Sequence, residues 1–453
     1  MSTRNTSMTS GKPFFLLIRF ALPLIAGSVF QQLYVITDAA IVGRGVGTKA
    51  LAALGAGEWI LWMVTGAVQS FAQGFSLEAS AAYGEENQAR INSSAYHSIL
   101  LMLGIGGLFT AASLVLMRPA LRLLNTPEDI FSGTVTYLTV LYSGVLITSA
   151  YQLAAALLRG FGDSKRPLLA MVAASLTNIV LDLLFVFVFH WGIAGAAAAT
   201  VIAQFLAFVI CAYSLRGLIS LKERPEIRMD MFRKLIGLGL PLAFQVVVIA
   251  AGGLVLQNAV NRYGSVFVAG YTASNKMFGV LESAGIAFGY GIISYTAQNL
   301  GAGKTERIPE GIRAGLLFSV IVSGTISACM LVFGKQILSL FIDQSSPDAP
   351  EILNIAYSYL CYMAGALFML YMLHLYKSAL QGLGYTVISM ISGIIELIIR
   401  VAAILIFPYF IGSSGIFAAE ISAWIGAAVY LMFMYYRRYR QTIKSVDIQK
   451  AGE

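Results

Sequence analysis

The chain has 453 residues, of which 58% are hydrophobic and only 11% charged, with a mean hydropathy of +0.77. Soluble domains are typically about 45–50% apolar and about 25% charged, so this composition excludes a water-soluble globular protein and makes the bilayer the solvent. The formal charge of +8 does not gather on one soluble face, which argues against nucleic-acid binding, and three cysteines without motif spacing (Cys211, Cys329, Cys361) argue against a disulfide framework or zinc site.

A spanning helix needs about 20 apolar residues, each rising about 1.5 Å through a hydrocarbon core about 30 Å thick. Apolar runs between turn and charge signals predict helices near 14–39, 51–82, 92–117, 131–157, 167–189 and 193–215, then near 231–261, 266–299, 309–334, 352–379, 386–407 and 414–436. The fold class expected is an all-α integral membrane protein of twelve transmembrane helices in two pseudo-symmetric six-helix bundles. Arg19, Pro23 and Gln31 fall in or beside the first apolar run, which therefore reads as a retained helix rather than a cleaved signal. The charged stretch LKERPEIRMDMFRK, 221–234, separates the two sets. The expected organisation is an N-terminal tail (1–13), an N-lobe (14–220), a linker (221–230), a C-lobe (231–436) and a C-terminal tail (437–453).

Twelve spans put both termini on one side, and short cytoplasmic loops carry an excess of Lys and Arg. With the termini inside, the outer loops hold only Arg44, Lys49, Arg118, Arg122, Arg262 and Lys335 of the 30 basic residues, while Lys276 and Arg400 lie within helices. A multi-pass protein of the inner membrane with both termini cytoplasmic is expected, and the positive charge is a topology signal.

The two sets are copies. Leu22-Pro23 recurs as Leu240-Pro241, YGEENQARI (83–91) as LGAGKTERI (300–308), LRGFG (158–162) as LQGLG (380–384) and GIAGAAAAT (192–200) as GSSGIFAAE (412–420). An even number of helices per copy gives both the same orientation, related by an axis along the membrane normal, an arrangement common in secondary transporters. Pro23 and Pro241 interrupt the first helix of each copy, where the missing N–H and the ring clash make a kink or hinge.

Ionisable side chains inside a spanning helix cost about 2.5–3.5 kcal/mol on insertion scales, so each needs a reason. Those deep enough are Asp38, Asp182, Lys276, Glu282, Glu396, Arg400 and Glu420. Met171, Ser175, Asn178 and Asp182 follow at steps of four, three and four, one face of a helix. By helical rise, Asp38 lies about 9 Å below the loop at Arg44, and Asp182 and Thr200 lie about 12–15 Å from the turn at Gly192, so all three can meet in the outer half of the N-lobe. Two carboxylates together resist double ionisation and would hold a proton or, with Asn178 and Thr200 as further oxygen ligands, Na⁺. The alternative is purely structural, with Asp38 capping its helix and Asn178 bonding a neighbour. In the second set, Glu396 and Arg400 are spaced to pair within one helix, while Glu282 and Glu420 are open between packing and proton binding. GAGK at 301–304 lacks the spacing of a nucleotide loop, and three dispersed histidines offer no metal pair.

The segments LPLIAGSVFQQLYVITDAAIVGRGVGTKALAALG (22–55), LLRGFGDSKRPLLAMVAASLTNIVLDLLFVF (157–187) and GIAGAAAATVIAQ (192–204), in a duplicated six-helix frame, resemble the multidrug and toxic compound extrusion (MATE) transporters over nearly the whole chain. The resemblance is to the prokaryotic branch of the DNA-damage-inducible F type. It implies alternating access and ion-coupled efflux of bulky, often cationic, amphipathic compounds, with no cofactor and the chain acting as a monomer. It also implies an ion site at Asp38, Asn178, Asp182 and Thr200, and a substrate cavity lined by Gln31, Tyr137, Met171, Ser175 and Gln204. The other bacterial branch carries an acid in the seventh helix for Na⁺; here that stretch reads PLAFQVV with Gln245, which favours coupling through the N-lobe. The rival readings are a lipid-linked oligosaccharide flippase, which favours a strongly basic cavity, and an intramembrane enzyme, which needs a catalytic pair.

Overall fold

The protein is described by a computed structural model covering residues 7–220, 225–340, 342 and 347–452. Part of the expected linker (221–224) and the first six residues of the N-terminal tail lie outside the described residues. The helices are α1 (Pro13–Gly45), α2 (Thr48–Gly84), α3 (Gln88–Leu123), α4 (Glu128–Ser143), α5 (Val145–Gly160), α6 (Lys165–Leu183) and α7 (Gly192–Leu215). A second series follows: α8 (Met229–Asn261), α9 (Ser265–Gly301), α10 (Arg307–Ser339), α11 (Ala349–Gly382), α12 (Thr386–Ile406), the short α13 (Pro408–Ile411) and α14 (Ser414–Gly452). Among the described residues eleven helices are long and apolar enough to span, and α4 with α5, bent by 49°, taken as one span makes twelve. The bend falls at Gly144, where a Cβ would meet the Val201 side chain at 2.6 Å. The fourth predicted helix is therefore a broken span. Beyond residue 436, the C-terminal stretch continues as part of α14.

Both copies repeat unusual backbone conformations as well as sequence. Gly162 and Gly384 take φ of +83° and +86°, and Gly192 and Gly412 take +59° and +61°, a left-handed conformation that glycine enters without penalty. Each pair holds the same place in the repeat, so the turns were copied with the helices.

The chain divides by contacts into two compact units. One gathers Leu22–Ala243 and the other Met8–Ala21 with Phe244–Glu453. The breaks fall within two or three residues of Pro23 and Pro241. Compared with the lobes expected from sequence, the units exchange the opening turns of α1 and α8.

Specific contacts account for each assignment. In the first unit Glu78, 4% exposed, receives Arg90 Nη2 at 2.6 Å and Lys234 Nζ of α8 at 2.7 Å. His97 Nε2 accepts the Arg228 N–H at 2.9 Å, and a Cβ on Gly74 would lie 2.4 Å from Gly239 Cα, so α2 and α8 touch backbone to backbone. In the second unit Gln298 Oε1 accepts the Met8 N–H at 2.9 Å, Asn299 Nδ2 donates to Met8 O at 3.0 Å, and Arg307 Nη2 donates to Gly11 O at 2.7 Å.

The cores are apolar in the usual sense. Phe71, Phe75, Leu138, Tyr142, Leu157 and Phe161 fill the centre of the first unit. The second contains a stack in which Tyr359 lies 4.9 Å from Tyr271 and 4.7 Å from Phe417. Large apolar side chains also point outward, among them Leu108, Val115, Leu116 and Leu123 on α3, as lipid contact requires.

Candidate functional site

The polar stripe of α6 points into the first unit. Ser175, Asn178 and Asp182 are buried, and Asp182 is fully so. Immediately after Asp182 the helix widens into a π-helical turn, Leu184–Val188, a local irregularity common at functional positions.

A small apolar cluster explains why four polar residues from three helices converge beside it. Ile41, Val42, Val186 and Ala196 pack together, joining α1, the π turn and α7. Asp38 lies one turn before Val42, Asp182 one turn before Val186, and Thr200 one turn after Ala196. Residues four apart share a helix face, so fixing the apolar members carries the polar ones to a common place. Gly45 permits the close approach, since a Cβ there would meet Val186 Cγ1 at 2.4 Å.

Asp38 and Asp182 lie close enough to act on one another electrostatically. The Oδ1 atom of each is buried with no hydrogen-bond partner. The Asn178 amide fits two orientations. In one, Nδ2 donates to Thr200 Oγ1 at 3.4 Å; in the other it donates to Asp182 Oδ2 at 3.2 Å while the amide oxygen accepts from Thr200 N at 3.2 Å. The second orientation satisfies both ends of the amide. Thr200 Oγ1 itself donates to Ala196 O at 3.2 Å. Carboxylate, amide and hydroxyl oxygens together suit a proton or a hard monovalent cation. Among the described residues no three His, Cys, Asp or Glu side chains are grouped to hold a metal ion.

The expected cavity residues are placed less uniformly. A Cβ at Gly27 would meet Met171 Cε at 2.2 Å, so Met171 packs on α1 just beyond Pro23. Gln31 is exposed, and half-buried Gln204 accepts a hydrogen bond from the Thr148 hydroxyl. Tyr137 packs against the core of the unit and lies within electrostatic range of Asp38 and Asp182. Tyr34, absent from the residues that sequence reasoning singles out, also lies within range of both acids; its position one turn before Asp38 is the available signal.

The second unit gathers its own polar residues. Arg400 Nη2 and Glu396 Oε1 pair at 2.7 Å along α12, as their spacing predicts. Glu420 accepts a hydrogen bond from Tyr359, and Glu282 meets His374 at 3.1 Å. Lys276 and Arg400 are not the only cations within these helices, because Lys377 of α11 acts electrostatically on Glu282 and Glu396.

Twelve spans in two copies of one six-helix plan, with an acidic pair inside the first, define a multi-pass membrane transporter and not an enzyme. The MatE family model matches residues 23–184 and 241–406, one stretch in each copy, and the chain belongs to that family. Among its relatives, the probable multidrug resistance protein YpnP of Bacillus subtilis is 30% identical over 75% of this chain and 77% of its own length. The DNA damage-inducible protein F of Escherichia coli is 23% identical over 71% of each. A transporter structure of the MOP superfamily from Pyrococcus furiosus has the same fold, with a TM-score of 0.90, 22% identity, and coverage of 98% of this chain and 99% of that one.

Proposed function

We propose that the protein is a secondary antiporter, expelling amphipathic and often cationic organic compounds in exchange for H⁺ or Na⁺ by alternating access. The observation that carries this reading is the pair of half-buried Asp38 and fully buried Asp182, each with one buried oxygen lacking a partner, joined by Asn178 and Thr200. A bound H⁺ or Na⁺ cancels one of the two negative charges of the pair. Its release leaves negative charge on the α6 face that also bears Met171 and Ser175, which favours an organic cation in its place. Cation and substrate then exclude one another, and that exclusion is the requirement for exchange.

Gln31, Tyr137, Met171, Ser175 and Gln204 line the substrate path in this reading, and Pro23 is the bend that moves α1. The protein works as a monomer in the cell membrane with both termini cytoplasmic. Relatives named for multidrug resistance in Bacillus subtilis and Thermotoga maritima support this substrate class. A flippase for a pyrophosphate-linked lipid is disfavoured by the acidic character of the first-unit cluster.

The test uses purified protein in liposomes loaded with ethidium or tetraphenylphosphonium, under imposed pH or Na⁺ gradients in turn. One gradient should accelerate dye movement against its own concentration difference. Indifference to both gradients would overturn the reading.

A further inference from the structure

The second unit buries ionisable side chains that the first-unit site does not use. Glu282 of α9 meets His374 of α11, and Lys377, three residues further along α11, acts on both. Glu396 and Arg400 pair on α12, and Glu420 of α14 is held by Tyr359, whose ring stacks on Tyr271. Glu396, Arg400, Glu420 and His374 are each less than a tenth exposed, and Arg400 Nε is buried with no partner. Tyr371 donates to Leu281 O and lies within electrostatic range of Glu282. The charged residues of α10, which packs on α11, are Arg307, Glu310, Arg313 and Lys335, all near its ends.

Charge balance decides what this cluster can hold. Three carboxylates (Glu282, Glu396, Glu420) face two cations, Lys377 and Arg400, with His374 as the sixth member. With His374 neutral, one negative charge is uncompensated, a strongly disfavoured condition at this burial; one added proton balances the set. A metal ion is a poor occupant, because an ammonium and a guanidinium already stand among the carboxylates. The internal repeat sharpens the comparison. Arg400 and Glu420 hold the places of Asn178 and Thr200, so the same region of the fold is polar in both units, with neutral groups in one and charged groups in the other.

We propose that the second unit contains a proton-binding site of its own, in which the Glu282–His374 pair takes up and releases one proton. Glu282, its side chain 27% exposed against 8% for His374, is the member that meets water. Loss of the proton leaves the unit with one uncompensated negative charge, giving it a part in cation exchange beyond that of scaffold.

The chain has only three histidines, which makes the test direct. Full-length protein labelled with ¹⁵N-histidine in lipid nanodiscs is followed by NMR, with the His374 signal assigned from its loss in His374→Gln. His374 should pass between its charged and neutral forms within about pH 5–8. Glu282→Gln should lower its proton affinity at least tenfold, and Glu282→Asp should restore most of that loss. A His374 signal fixed in one form across the range overturns the proposal, as does a transition that Glu282→Gln leaves unmoved. If Glu282→Gln does not fold, the wild-type titration still decides: a His374 fixed in one form across the range overturns it. The measurement needs no transported compound, so its failure is separate from failure of the antiport reading.

Discussion

Asp182→Asn isolates the coupling chemistry, because it preserves side-chain shape and removes only the capacity to ionise. Asp182 is fully buried and acts electrostatically on Asp38. Two unit charges about 4 Å apart repel by about 4 kcal/mol at an effective dielectric of about 20, which a cation bound between them relieves. At about 1.4 kcal/mol per decade, the variant forfeits roughly a thousandfold in cation affinity at the pair. Dye efflux from proteoliposomes is the assay, with wild type treated with ionophore as the uncoupled reference. Gradient stimulation in the variant should fall to that reference while the melting temperature holds or rises, since a buried like-charge contact has gone. Stimulation at the wild-type level would refute the assignment of coupling to this pair.

Three further substitutions probe the frame around the sites. Glu78→Gln removes the carboxylate between Arg90 and Lys234; both cations retain access to water, so the cost should be about 1–3 kcal/mol, read as a lower melting temperature and faster hydrogen exchange in residues 229–243. Gly74→Ala drives a methyl group into the Gly239 backbone and should cost about 1–3 kcal/mol, whereas Gly104→Ala, where a Cβ meets nothing, should be neutral or gain up to about 1 kcal/mol. Arg400→Met strands Glu396 in the interior and should destabilise by about 3–5 kcal/mol, with Glu396→Gln in the same chain recovering much of the loss. Equal thermal stability of the single and double variants would show that the pair carries no mutual compensation.

The number of spans, their duplication and the first-unit cluster are legible in the sequence because each rests on local spacing. The stripe Met171, Ser175, Asn178, Asp182 is a property of one helix, and depth counted from the loops places Asp38 and Thr200 at its level. What spacing cannot express is contact between helices distant in sequence. Glu282 and His374 are 92 positions apart, and nothing local in either helix names the other. Lys377 goes unnoticed as a partner of the second-unit acids because it lies near the end of its predicted helix, where a basic residue reads as a topology signal. The π turn is hidden because Leu184–Val188 is as apolar as the helix before it. Between the copies, the position of the polar cluster is duplicated, and its chemistry is what diverged.

The exchange of opening turns between the two units bears on how the chain is made. Synthesis begins with the segment whose docking partners emerge late: the Met8 N–H is accepted by Gln298, 290 residues downstream. At about 5–20 residues per second, the start of α1 waits roughly 15–60 s in the nascent chain before its contacts exist. The first unit likewise stays incomplete until Lys234 arrives for Glu78. The first unit is complete only once the opening turns of α8 have been made, and the start of α1 finds its place only once α9 has followed.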